Sequence, residues 1–361
     1  MAEKKLKIGI IGVGNIAQSH IEGYKRNENT ELYAFCDIDR EKLEENGKKH
    51  GIEKLFTDYN EMLALPELDA VSVCTWNSAH APCVIAALNA GKHVLCEKPM
   101  SVSTEAAKEM KAAADKAGKV LMIGFVRRYG DDAQMINELR KNGELGDFYY
   151  GKATYLRRNG NPEGWFGDKS YSGGGPLIDL GVHVIDLTRW LMGNPKPVSV
   201  YGATFQKLLN RPNIKTPKDY VSTTKVDNIV CDVEDLATAM IRYDNGAVIS
   251  IEASFSLDIP EGVGKYELFT DKGGVTVNPE VVLCKDRNGY MTDMKFATPT
   301  GFTSEHVTFD DVFAREITHF ADCILGKEEC MAPAEDGIEI MKILDAVYKS
   351  AETGHEVIIE D

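Results

Sequence analysis

Asp179, His183 and Asp186 interrupt an otherwise apolar run over residues 177–192. A single helix there places all three on one face, because positions i, i+4 and i+7 stack. Two carboxylates and an imidazole on a mostly buried helix need partners or a ligand, since burying unpaired charge is costly. Two readings are open. One is a His–Asp pair that tethers two elements. The other is an acid–base site, for which imidazole titrates near neutral pH without large tuning. Gly173, Gly174 and Gly175 lead into this run. They allow a tight turn and the close approach of a ligand, and Pro176 suits the first turn of a helix.

The first half of the chain supplies the elements such a site must be set against. Residues 6–11 form a short apolar strand, followed by Gly12-Val13-Gly14-Asn15-Ile16-Ala17 and an amphipathic helix to about residue 26. A second strand over 31–36 ends at Asp37, some twenty residues beyond the glycines, where a ribose diol is bound. Gly12 permits the tight turn, Gly14 permits close approach to a pyrophosphate, and the helix N-terminus offers N–H groups. Asn15 and Ile16 join the expected cofactor contacts. Asp37 favours NAD, because a carboxylate repels a 2′-phosphate; NADP is the lesser choice, with Arg40 three residues on to hold that phosphate. Strands over 70–74, 92–96 and 120–125 alternate with helices, which implies a parallel, doubly wound sheet. Ligands in such sheets lie beyond the carboxyl ends of the strands. Asp37, Thr75, Trp76, Asn77, Glu97, Lys98 and Pro99 all stand on that edge.

The second half reads differently. A helix over 131–142 precedes a strand over 147–158 that ends beside Arg157. A glycine-rich, polar loop over 159–172 holds Trp165, Phe166 and Tyr171. Those aromatics are either local packing or a sugar-stacking platform. The polar stretch 208–232 reads as an exposed excursion or an interface arm. Asp244-Asn245-Gly246 and the run 271–274 punctuate alternating strands as hairpin turns. The expectation is an α/β Rossmann domain over 1–125. It is followed by an α+β substrate-binding and oligomerisation domain over 126–361 with a large open, mainly antiparallel sheet. One sheet face carries the 177–192 helix. Covering the other implies a homo-oligomer, dimer or tetramer.

Composition narrows the partners. The 361 residues carry a formal net charge of −15, which argues against nucleic acid or an anionic membrane surface. No apolar run is long enough for a membrane helix. The eight cysteines are scattered without a Cys-x-x-Cys pair, as expected of thiols in a reducing cytoplasm. No spacing suggests a metal site.

With these pieces placed, the chain resembles the Gfo/Idh/MocA family of NAD(P)-dependent oxidoreductases over nearly its whole length. The likeness rests on the turn from Gly12 to Ala17 and on Ala87-Leu-Asn-Ala-Gly-Lys-His-Val-Leu-Cys-Glu97-Lys98-Pro99. It rests equally on Gly174-Gly-Pro-Leu-Ile-Asp179-Leu-Gly-Val-His183 and on Glu234-Asp235 before a hairpin. The resemblance implies that Lys98 is the catalytic-site lysine and that Asp179 and His183 complete the site. It implies that Asp186 contacts substrate, as in the inositol dehydrogenase branch, and that Asn77 and His80 flank the cofactor. Arg157 and Trp165 are further expected substrate contacts, and Thr75 and Glu97 further cofactor contacts. Trp76 is a departure, because the family usually has proline there. The aromatic loop and the polar excursion are similar to members that oxidise glucosides at C3. The implied activity is oxidation of a secondary hydroxyl of a sugar, glycoside or cyclitol. Competing readings are an NAD-using glycosidase or lyase acting by transient oxidation and elimination, and a non-enzymatic NAD-binding regulator.

Overall fold

The computed structural model describes residues 5–208, 211, 214–215, 221–222, 231–278, 280–296 and 308–360. The chain divides into two compact units, Met1–Val126 with Phe309–Ile338, and Arg127–Thr308 with Glu339–Asp361.

The first unit runs β1 (Leu6–Ile11), α1 (Asn15–Arg26), β2 (Thr30–Cys36), α2 (Arg40–His50), β3 (Leu55–Phe56), α3 (Tyr59–Leu63), β4 (Ala70–Val73), α4 (His80–Asn89), β5 (His93–Glu97), α5 (Thr104–Ala117) and β6 (Leu121–Gly124). Its six strands pair in parallel in the order β3-β2-β1-β4-β5-β6. The order reverses direction at β1 and β4, which is where a doubly wound sheet opens a crevice. All of β4 and β6 is buried, as unbroken apolar runs require when a sheet is covered on both faces.

The second unit continues with α6 (Asp131–Lys141), β7 (Phe148–Leu156), α7 (Lys169–Ser172), α8 (Val182–Leu191), β8 (Pro197–Phe205), β9 (Leu236–Tyr243), β10 (Val248–Ser254), β11 (Val263–Thr270), β12 (Gly273–Asn278), β13 (Glu280–Arg287) and β14 (Tyr290–Lys295). The chain closes with α9 (Phe309–Ile324), α10 (Ala334–Thr353) and β15 (Val357–Ile358). Nine strands form one sheet, β14-β13-β12-β11-β7-β10-β9-β8-β15, antiparallel except where β7 pairs with β10. The expected Rossmann fold and mainly antiparallel open sheet are both present. Ile249, Ile251, Ala253, Ala237 and Ile241 fill the buried face, while Met240 and Tyr201 on the other are each 54% exposed. The alternation of β9 and β10 fixes this register, since a slip of one residue would invert the faces. Helix α9 returns to the first unit, where Gly23 of α1 admits it: a Cβ there would meet Ile317 Cγ1 at 2.8 Å.

The 177–192 segment is not one α-helix. Leu177–Gly181 forms a π-turn and α8 begins only at Val182. The wider turn breaks the 3.6-residue stacking on which the one-face expectation rested. Of the 208–232 stretch, residues 209–210, 212–213, 216–220 and 223–230 lie outside the described residues. Its described parts bond to the aromatic loop: Ser222 N donates to Pro162 O at 2.8 Å, and Asp232 Oδ1 accepts Lys169 N at 2.8 Å.

Candidate functional site

The cofactor edge of the first unit is built by β1, β2 and the turn between β1 and α1. Gly12 sits at φ +87°, and a Cβ there would strike the Cys74 carbonyl at 2.7 Å, so this turn requires glycine. Gly14 differs: a Cβ would meet nothing within 4 Å, leaving open space before the first turn of α1. No side chain caps that helix end. The N–H groups at the start of a twelve-residue helix, with glycine in front, suit a pyrophosphate. Asp37 Oδ2 accepts Val13 N at 2.8 Å and Oδ1 accepts Asp39 N at 2.9 Å. The same carboxylate therefore shapes the glycine turn and stands at the end of β2, where a ribose diol is read. Arg40, exposed, pairs with Glu44 one turn on at 2.9 Å. These residues fit a dinucleotide. Trp76 adopts φ −70°, close to the value proline would impose, so the turn's backbone here is one that proline could also take.

Around Lys98 the strand ends are held by two imidazoles. His80 is buried; its Nδ1 lies 2.8 Å from Pro99 O and its Nε2 3.2 Å from Thr75 O. It thereby clamps the turn after β4 to the turn after β5. Burial pushes its pKa down. Glu97, also buried, takes His20 Nε2 on one oxygen at 2.9 Å and the Lys98 N–H on the other at 3.1 Å. Ser72 Oγ then links His20 Nδ1 to the Tyr24 hydroxyl, at 3.2 and 2.7 Å. Glu316 of α9 joins this group, so that His20, Glu97 and Glu316 bring a donor atom each within 4.8 Å of one another. The Lys98–Pro99 peptide is cis and the lysine side chain is half-buried.

In the second unit the π-turn carries Asp179 and α8 carries His183, both half-buried. The loop before them is held by Glu234, whose Oε2 accepts Gly175 N at 3.0 Å and whose Oε1 accepts Leu177 N at 3.1 Å. Tyr348 of α10 donates to the same Oε1 at 2.9 Å. Gly174 and Gly175 are glycines for this packing rather than for a ligand. A Cβ would meet Tyr348 Oη at 2.0 Å and Glu234 O at 2.4 Å respectively. Gly173, at φ +80°, ends α7. Burial pushes the Glu234 carboxyl up, and its accepted hydrogen bonds only partly offset this.

Asp186 does not share the half-exposed setting of Asp179 and His183. It is 1% exposed and forms a two-point pair with Arg128, Nη2 to Oδ1 at 2.5 Å and Nε to Oδ2 at 3.0 Å. The Arg128 guanidinium lies 5.7 Å above the Trp190 ring, so the pair locks α8 to the turn at residues 126–129. Arg157 donates to Gly160 O at 3.2 Å and stacks with the Tyr155 ring at 5.7 Å. Trp165 and Phe166 stack on each other, with centroids 3.9 Å apart.

Tyr155, electrostatically coupled to Asp179, is a candidate that the sequence alone did not single out. It packs against Leu180, Ala253 and Phe255, and Arg127 lies over its ring at 5.1 Å. Burial pushes its phenol up, but the guanidiniums of Arg127 and Arg157 outweigh that and the net shift is downward, with Asp179 opposing. Alternation along β7 already put Tyr155 on the face of Ala153. That signal names a core face and places Arg157 beside it, two residues on, while only the fold brings Arg127 to the ring.

Comparison with known proteins identifies the family and the fold. Residues 6–125 match the Gfo/Idh/MocA model described as "Oxidoreductase family, NAD-binding Rossmann fold", and 138–359 match its C-terminal alpha/beta domain. D-glucoside 3-dehydrogenase of Escherichia coli K12 is 35% identical over 361 residues, covering 99% of this chain and 98% of that protein. Myo-inositol 2-dehydrogenase of Thermotoga maritima is 34% identical over 366 residues, covering 99% of each. The fold superposes on a levoglucosan dehydrogenase in complex with NADH and levoglucosan with a TM-score of 0.85 at 24% identity. That match covers 99% of this chain and 100% of the other.

Proposed function

The chain belongs to the Gfo/Idh/MocA oxidoreductase family, and from that we propose that it oxidises a secondary hydroxyl of a sugar, glycoside or cyclitol. A glucoside attacked at C3 is the preferred substrate, from the 35% identity to D-glucoside 3-dehydrogenase. The nucleotide belongs to residues 1–125, and substrate binding and oligomerisation to 126–361. Gly12, Gly14, Asn15, Ile16, Asp37, Thr75 and Asn77 hold NAD, with the Asp37 carboxylate setting the preference over NADP. When bound, NAD supplies the hydride acceptor.

Within the protein, His183 takes the hydroxyl proton, Asp179 orients and steadies the imidazolium, and the Lys98 ammonium favours the alkoxide as charge develops. The observation that carries this reading is the Asp179–His183 carboxylate and imidazole on a turn whose backbone Glu234 holds, with Asp179 in the field of Tyr155. Arg157 and Trp165 line the substrate, and His80 and Glu97 position the strand ends. Asp186 we assign to holding α8 through Arg128 instead of to substrate contact.

Among the described residues no helix is long and apolar enough to cross a membrane. All eight cysteines are free thiols, which supports a reducing, cytoplasmic setting. Exposed Tyr201 and Met240 on the outer sheet face support a homo-oligomer. The test is a panel of glucosides and inositols assayed with NAD. Accumulation of NADH absorbance with a glycoside bears the proposal out. Release of a leaving group without NADH would replace it with transient oxidation and elimination, and NAD binding with neither would leave a regulator.

A further inference from the structure

The end of α9 holds a group of side chains that the dehydrogenase chemistry does not use. His319 and Cys323 lie one turn apart on α9, and Cys323 Sγ is 3.4 Å from His319 Nε2. The same Nε2 accepts the Met331 N–H at 2.9 Å, so it carries no proton. The proton is therefore on Nδ1, which donates to Glu328 Oε2 at 2.6 Å. Glu328 orients the ring, and the ring turns its acceptor nitrogen toward a thiol, an order of groups that activates nucleophiles. Because Met331 is tied to His319, its neighbour Cys330 is brought to the same spot. Cys330 is half-buried, whereas Cys323 is 8% exposed.

We propose that Cys323 and Cys330 are a redox-active dithiol that hydrogen peroxide closes to a disulfide. Cys330 is the attacking sulfur. Its thiolate attacks one peroxide oxygen: an S–O bond forms, the O–O bond breaks, and hydroxide leaves as water after taking a proton. The Cys323 sulfur then attacks that of Cys330, forming S–S and breaking S–O. The Cys323 proton passes by His319 Nε2 to the departing oxygen, which leaves as the second water. Two thiols lose two electrons and two protons, and one peroxide becomes two waters. The roles of the sulfurs follow from exposure. They agree with the direction at Cys323, whose hydrogen bond to Cys330, with burial, pushes its thiol up and keeps it protonated. The bridge would tie the end of α9 to the segment whose Ala332 carbonyl accepts Ile123 N of β6 at 2.9 Å.

The test uses the native full-length protein, treated with stoichiometric hydrogen peroxide, alkylated, and read by intact mass and peptide mapping. The expected result is a loss of two hydrogens, a peptide linking Cys323 to Cys330, and reversal by dithiothreitol. Cys330→Ser should remove the link, and His319→Gln should slow its formation roughly tenfold or more. Oxygen adducts on Cys330 with Cys323 still alkylatable would overturn the proposal, as would a link formed only in denaturant. An unchanged rate in His319→Gln would overturn the role given to the imidazole.

Discussion

His20 and Glu97, 77 residues apart in sequence, meet inside the first unit with Nε2 and Oε1 2.9 Å apart. The second oxygen of Glu97 accepts the N–H of Lys98, so the pair fixes the backbone that presents the lysine. Glu97→Ala removes that acceptor and leaves a buried imidazole with one partner fewer. A cost of about 1–3 kcal/mol in stability is expected. Below the melting transition, kcat should fall more than NAD affinity, because Lys98 is displaced while the glycine turn is untouched. Glu97→Gln, which keeps a carbonyl for Lys98 N, should recover most of kcat. Equal loss in the two variants would separate Glu97 from the positioning of Lys98.

Two glycines that look alike in sequence should behave in opposite ways. Gly14 is at φ −74° with open space around it, so Gly14→Ala should leave the melting temperature unchanged and weaken NAD binding measured by calorimetry. Gly175→Ala drives a Cβ into the Glu234 carbonyl, which is backbone and cannot swing away. It should cost about 1–3 kcal/mol in denaturant unfolding, with NAD affinity retained. Reversal of this pattern would contradict the roles assigned to both turns.

Stability should depend on pH through His93. Burial, and then the Lys119 ammonium 3.5 Å from Nε2, push its pKa from 6.5 down to about 4. Val120 N also donates to Nδ1 at 3.1 Å, so donors face both ring nitrogens and a proton on either is resisted. Between pH 6.5 and 4 the unfolded chain binds this proton and the folded chain does not. Stability is thus intact above 6.5 and declines as pH falls toward 4. Melting curves over that window should show the decline, and His93→Asn should flatten part of it. An identical slope in the variant would place the titrating group elsewhere.

The division between what the sequence made legible and what it did not follows the range of the interactions. Strand β1, the turn at Gly12 and Asp37 follow each other closely, so their joint purpose could be read directly, and the mainly antiparallel character of the second sheet followed from alternation and hairpin turns, though the closing strand β15 did not. The π-turn was invisible, because Leu177 and Ile178 favour an ordinary helix and the wider turn is set by Glu234, 57 residues beyond Leu177. Residue spacing likewise grouped Asp186 with His183, since it carries no information on Arg128, 58 residues earlier. Arg127, 28 residues before Tyr155, was hidden for the same reason, whereas Arg157, two residues beyond it, was legible.

Lys98 and His183 are expected to be separable from cofactor binding. Lys98→Met and His183→Ala should each lower kcat by roughly 10²–10⁴-fold, the usual worth of a proton-transfer group, with NAD affinity close to wild type. Turnover near wild type in His183→Ala alone would transfer the base to Lys98. Near-normal turnover in both would remove the assigned site.

Asp186 decides between anchoring and recognition. Its carboxylate is buried against a guanidinium that is itself 0% exposed, so neutralising one partner strands the other charge. Breaking such a pair typically costs about 3–5 kcal/mol, far more than losing a surface ion pair. Asp186→Asn should therefore lower the denaturation midpoint strongly and leave KM for the sugar little changed in the fraction that remains folded. Arg128→Met should cost a similar amount. The double variant should cost less than the sum, because removing both charges leaves neither uncompensated. A substrate-contacting Asp186 predicts the opposite pattern: a raised KM, an unchanged midpoint and no coupling to Arg128. Denaturant melts of the four proteins, with KM measured on each, distinguish the two.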